Sequence, residues 1–300
     1  MLHIYSEIAP LILLFLVGFG LRKAHIFKKG DGDILLNLVF YVALPALIID
    51  SVSQTRPESE FIYLPFIAAA IILAGFGIGW ITGKWLTLET NTFGTYLVGA
   101  MILNIGFVLP FVMAMYGNEG LTRIIIMDMG NGIMVMTFVY YQACRFGSHA
   151  GSAGTIIKRF LLNPPLWAIV LGLIFNFSGW QIAGIPLTFL NITGDLTIPL
   201  LMLTIGIYFS PSLVKFKALV MVIFIRMGIG LGLGFLFVWL FNFDGVTRMI
   251  VLLGSSTPIG YNTLTFAAME DLDRDFAASI VSVSILVGLV YLPLIIYFFG

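Results

Sequence analysis

Apolar residues run along the chain in stretches about as long as a bilayer's hydrocarbon core requires, separated by short polar connectors. Ten such stretches are read, at roughly 7–23, 34–53, 61–83, 95–116, 124–144, 162–178, 190–210, 218–241, 248–268 and 276–299. Two of them conflict with an unbroken spanning helix. Residues 253–262, Leu253-Gly-Ser-Ser-Thr-Pro-Ile-Gly-Tyr-Asn262, put a proline, two glycines and three hydroxyls in mid-span. Residues 99–110, Gly99-Ala-Met-Ile-Leu-Asn-Ile-Gly-Phe-Val-Leu-Pro110, carry a second interruption of the same kind. Exposed to lipid, the freed backbone groups would each cost several kcal/mol, so both breaks must line a cavity or lie buried in protein.

Composition sharpens this picture. The 300 residues are 60% hydrophobic and 10% charged, against about 25% charged in a soluble domain, and mean hydropathy is +1.05. The chain reads as an all-α, multi-pass membrane protein. A formal net charge of zero gives no reason to expect a nucleic-acid partner. The lone Cys144 excludes an internal disulfide and argues against a zinc cluster, and no cofactor is expected. The first span, preceded by Glu7 and followed by no small-residue cleavage site, does not read as a removable signal.

Lysine and arginine fall unevenly between alternate connectors. One set holds Arg22, Lys23, Lys28, Lys29, Lys84, Arg145, Lys158, Arg159, Lys215, Lys217 and Arg274; the other holds Arg56, Arg123 and Arg248. The rich set is expected to be cytoplasmic, which places the chain in the cytoplasmic membrane with both termini outside.

An internal repeat is visible at one gapless offset of 154. It pairs Asn37 and Pro45 with Asn191 and Pro199 (191−37, 199−45), Pro10 with Pro164, Gly18 with Gly172, and Asn104-Ile-Gly-Phe with Pro258-Ile-Gly-Tyr. The expected repeats are 1–148 and 149–300, divided by the Gly/Ser-rich basic connector 145–160. Five spans each is an odd number, so the second repeat should be inverted, and spans four and nine become equivalent.

Two interrupted spans in corresponding halves point to a carrier's binding site. Each break exposes a half-helix N-terminus, whose free N–H groups and positive dipole end attract an anion. Candidate binding residues are Asn104, Gly106, Ser255, Ser256, Thr257, Pro258, Tyr261 and Asn262. The asparagines have a second reading, as groups that satisfy freed backbone. Pro110, Pro258 and Gly260 are expected to shape the breaks, and Gly106 and Gly260 to permit close helix crossing. Asp128 and Asn131 share a helix face at i and i+3 and are candidates for ion coupling or for bracing a break. Arg226, the basic residue within a span, is expected either to snorkel to the cytoplasmic face or to pair with Asp195 or Asp128. Residues 269–275, rich in aspartate, read as a solvated connector that caps span ten.

These residues resemble the auxin efflux carrier family, in its bacterial members related to plant PIN-type carriers. The likeness rests on Asn104-Ile-Gly-Phe-Val-Leu-Pro110 with Tyr116-Gly-Asn-Glu-Gly-Leu121, on Asp128-Met-Gly-Asn131, on Pro258-Ile-Gly-Tyr-Asn262, and on Asp271-Leu-Asp-Arg-Asp-Phe-Ala-Ala-Ser279 running on to Pro293. Phe107-Val-Leu-Pro110 departs from it, being shorter than the glycine-containing stretch such relatives carry there. The resemblance implies ten helices with helices 4 and 9 crossing, a scaffold of helices 1, 2, 6 and 7, and a transport domain of helices 3–5 and 8–10. It implies elevator-type alternating access, a homodimer formed through the scaffold, and a small organic anion as substrate. The alternatives are a sodium-coupled symporter of the bile acid type and a membrane sensor that binds without transport.

Overall fold

In a computed structural model of the protein, the structure describes residues 2–28, 30–55, 58–147, 164–211 and 213–300. Most of the connector 145–160, with His149, Lys158 and Arg159, and also Lys29, Arg56 and residues 162–163, lie outside the described residues. The described chain is helical: α1 (Leu2–Lys23), α2 (Asp31–Gln54), α3 (Tyr63–Trp85), α4 (Thr90–Met101), α5 (105–116), α6 (118–146), α7 (Pro164–Ser178), α8 (Ile185–Tyr208), α9 (Phe216–Phe241), α10 (Gly245–Ser255), α11 (Asn262–Met269) and α12 (Arg274–Phe299).

Six helical runs among the described residues are long and apolar enough to cross a membrane: Asp31–Gln54, Ser59–Trp85, Ile105–Phe146, Ile185–Tyr208, Phe216–Phe241 and Arg274–Phe299. Pro164–Ser178 and Gly245–Ser255 are shorter apolar helices. The stretches 95–116 and 248–268 are not single rods. The first stops at Met101 and restarts at Ile105, and the second stops at Ser255 and restarts at Asn262. The run Ile105–Phe146 would be about 63 Å if straight, twice the hydrocarbon thickness. Gly117, at φ 56° and ψ −150°, turns it instead, and divides α5 from α6. Pro110, expected to shape the first break, lies inside a helix beyond it. Its missing N–H costs one bond to the turn above, and the helix continues.

The chain forms two compact units. Unit 1 comprises residues 1–59, 109–125 and 161–209. In it α1 packs on the second half of α8, and the second half of α2 packs on α7. Glycines set both contacts. A Cβ at Gly18 would lie 2.2 Å from Leu203 O, and one at Gly172 would lie 2.8 Å from Val52 Cβ and 3.5 Å from Ile49 O. Under the 154 offset these are the same contact with the repeats exchanged (18+154=172, 203−154=49). Each half of the chain therefore lends a helix to the other. The prolines repeat as well: a π turn at Val39–Ala43 precedes Pro45, and a two-residue turn at Asp195–Leu196 precedes Pro199. Arg22 closes the α8 end by donating to Ile207 O at 3.0 Å and Phe209 O at 2.8 Å.

Unit 2 comprises residues 60–108, 126–160 and 210–300. At one end, Asp273 joins three connections. Its Oδ2 accepts from Lys215 Nζ at 2.6 Å and Thr92 Oγ1 at 2.7 Å, and its Oδ1 caps α12 through Phe276 N at 3.0 Å. Desolvation pushes its carboxyl up, but Lys215, Phe276 N–H and Thr92 together hold it below the ordinary 3.8. A depressed folded value means the cluster stabilises the fold above the ordinary carboxylate range and loses that contribution as pH falls through the folded value. In detergent, Asp273→Asn should melt about 2–4 °C below wild type at pH 7, and the gap should close as pH drops below about 4. A pH-independent gap would contradict this role.

Candidate functional site

The two helix breaks, both in unit 2, meet. Leu103 and Ile259 form an isolated antiparallel bridge. Asn104 N donates to Pro258 O at 3.2 Å, and Gly260 N to Ile102 O at 3.2 Å. Asn104 is thus paired with the residue equivalent to it in the repeat (258−104=154). Gly260 permits the approach, since a Cβ there would stand 2.3 Å from Ile102 Cγ2. Gly288 on α12 does the same for Pro258, with a Cβ 2.6 Å from the proline ring.

Backbone groups released by the breaks are satisfied by named side chains. Asn104 Oδ1 accepts from Phe107 N at 3.2 Å and caps α5, while its Nδ2 donates to Ile259 O at 3.0 Å. Asn131 Oδ1 accepts from Leu103 N at 3.3 Å, and its Nδ2 donates to Asp128 Oδ1 at 2.7 Å. Ser284 Oγ accepts from Ile259 N at 3.1 Å. Thr257 Oγ1 receives Asn104 N at 3.1 Å. Arg226 Nη2 donates to Ser255 O, near the end of α10, at 2.5 Å. In a medium without water, an interrupted helix requires pairing of this kind.

Several expected binding groups are therefore engaged by the fold. Ser255 and Ser256 turn back on their own helix, Ser255 to Val251 O and Ser256 to Leu252 O at 2.6 Å, and with Thr257 they are fully buried. Asn104 is buried with both ends of its amide in use as a brace. Arg226 neither snorkels nor meets a carboxylate among the described residues: it is 1% exposed and rests on neutral oxygens. Asp128 and Asn131 do lie together, joined to the first break through Leu103.

What remains open is backbone. The amides of Ile105 and Gly106, first in α5, donate to nothing among the described residues. A Cβ at Gly106 would meet only Asn104 Oδ1, at 4.0 Å, so Gly106 borders space rather than a close crossing. Asn262, at the first position of α11, is partly exposed, and its side chain makes no hydrogen bond among the described residues. Ser284 and Gly288 escape the sequence reading, although a serine and a glycine four apart in an apolar helix signal close packing around a polar contact. The Gly230-Leu-Gly-Leu-Gly234 run carries the same signal and presses α9 on α10, a Cβ at Gly230 falling 2.2 Å from Ser255 O.

Removing the brace should be costly. Asn104→Ala would leave Ile259 O without its partner, at about 1–3 kcal/mol for a buried group, and Phe107 N–H with the Asn104 carbonyl alone. Thermal unfolding in detergent should show a drop well beyond that of Asn262→Ala; equal melting temperatures would contradict the assignment.

The sequence matches the family model described as membrane transport protein twice, over residues 3–147 and 148–296. It is 29% identical over 294 residues to an uncharacterized transporter of Methanocaldococcus jannaschii, covering 94% of each chain. It is 26% identical over 294 residues to an uncharacterized transporter of Methanothermobacter thermautotrophicus, covering 96% of each. With its paired helix breaks and doubled match, the chain belongs to the membrane transport protein family, which includes the auxin efflux carriers.

Proposed function

We propose that the protein is a secondary carrier of a small organic anion, working in a cell membrane without catalytic chemistry. The observation that carries this reading is the pair of breaks whose side chains serve the backbone while the N–H groups of Ile105 and Gly106 stay uncommitted. Two amides at a helix start offer a carboxylate paired donors and a positive dipole end, with no lysine needed. Asn262, partly exposed at the start of α11, is the side chain that would orient the rest of the ligand. In this reading the braces Asn104, Ser255, Ser256 and Thr257 hold the donors in place, and Tyr261 borders the ligand.

The corresponding architecture is ten spans in two inverted repeats, helices 4 and 9 being α4/α5 and α10/α11, which cross at their breaks. Antiparallel pairing of Asn104 with its own equivalent, Pro258, is what a two-fold relation between repeats requires. The exchanged contacts of Gly18 and Gly172 support it further. The division into two compact units supports an elevator mechanism in which unit 2 carries the ligand and unit 1 is the scaffold through which two copies would associate. Both termini would lie outside, by the lysine and arginine distribution.

Gly106→Leu provides the test, because its Cβ meets no clash and the fold should stand. Uptake of labelled malonate or indole-3-acetate into proteoliposomes should fall at least tenfold, with the melting temperature unchanged. Undiminished uptake would contradict the site. Running the wild type with and without Na⁺ separates this carrier from a sodium-coupled symporter, and saturable ligand binding without flux would establish a sensor instead.

A further inference from the structure

Arg226 lies where α9 winds through a π turn, Phe224–Ile229, and is among the largest fully buried side chains of the described residues. Its Nη2 reaches Ser255 O at 2.5 Å and Thr257 Oγ1 at 3.4 Å. Its Nε–H is buried with no acceptor among the described residues. No described carboxylate forms an ion pair with it. Leaving a buried guanidinium without a counter-charge costs several kcal/mol. The end of α10 offsets part of that, since its last carbonyls carry roughly half a negative charge. The remainder is uncompensated by the described residues.

The cation is held firmly in that place. A Cβ at Gly230 would fall 2.2 Å from Ser255 O and one at Gly234 would fall 2.2 Å from Ser255 Oγ, so α9 is seated against the end of α10. Thr257 Oγ1 accepts from both Arg226 and Asn104 N, which puts the guanidinium two hydrogen bonds from the first break. Asp128 is tied to the first break through Asn131 and Leu103, and makes no ion pair with Arg226 among the described residues. Its Oδ1 accepts from Asn131 Nδ2 at 2.7 Å. Arg226 is buried, and at low effective dielectric a charge acts several times more strongly than it would in water at the same distance.

We propose that Arg226 is the specificity-determining charge of the paired breaks: it selects a carboxylate anion over its uncharged isostere, and the bound anion completes the charge balance that the protein leaves open. Arg226 acts through Ser255 and Thr257 and through its field, as a positioning residue rather than a ligand contact. This rests on the anion-carrier reading above.

The test compares malonate with malonamide, and indole-3-acetate with indole-3-acetamide, by thermal shift and proteoliposome uptake. Wild type, Arg226→Lys and Arg226→Gln are used as full-length reconstituted protein. Wild type should favour at least one acid over its amide. Arg226→Lys, which retains the charge, should keep that preference, and Arg226→Gln should lose at least tenfold of it. General structural damage would lower acid and amide together and leave their ratio intact. An unchanged ratio in Arg226→Gln overturns the proposal while the carrier reading stands. A wild type that prefers neither acid over its amide overturns the anion reading and this proposal with it. Should Arg226→Gln fail to fold, Arg226→Met, which buries no unmatched donor, takes its place with the same outcomes.

Discussion

A helix interrupted inside a membrane must find partners for most of the backbone groups it releases, and that obligation organises unit 2. Each break lacks enough partners of its own. They are drawn together because Ile102 O and Gly260 N, or Asn104 N and Pro258 O, satisfy one another. The remaining needs recruit one side chain from each neighbouring helix: Asn131 from α6, Arg226 from α9 and Ser284 from α12. Glycines at 260 and 288 follow from the same close packing, since a Cβ would strike Ile102 at the first position and the rings of Pro258 and Phe107 at the second.

The consequence for function is a division of labour that composition alone would not suggest. The polar residues at the breaks are numerous, yet most serve the fold. Because they do, the first amides of α5 are fixed and donate to nothing among the described residues, which is the preorganised state that the proposed anion site requires. Arg226 adds a charge to this arrangement without occupying the open space at Gly106.

Much of this is legible in the sequence, and the misses have physical causes. The breaks can be placed because proline, asparagine and glycine are costly in mid-helix, and the repeat can be aligned because Asn37 and Pro45 recur as Asn191 and Pro199 at one offset. The offset even pairs the contacts of Gly18 and Gly172. What pattern cannot supply is the partner of each polar group. Ser255 and Ser256 look like ligand donors until their rotamers are seen to fold back on α10, a choice made by local geometry. Pro110 looks like a breaker, but Asn104, three residues before Phe107, caps the new helix first, and the proline is carried inside it. Arg226 reads as a residue seeking water or a carboxylate; a helix end reached across the fold meets the need instead, and no spacing along the chain encodes that.

If the uncommitted amides of the paired breaks form the binding site, an experimental structure with a transported carboxylate bound will display it. Density for the carboxylate is expected within hydrogen-bond reach of Ile105 N and Gly106 N, beside Asn262, with both breaks still paired. A carboxylate bound away from these amides, or helices running unbroken through 102–104 and 256–261, would contradict it.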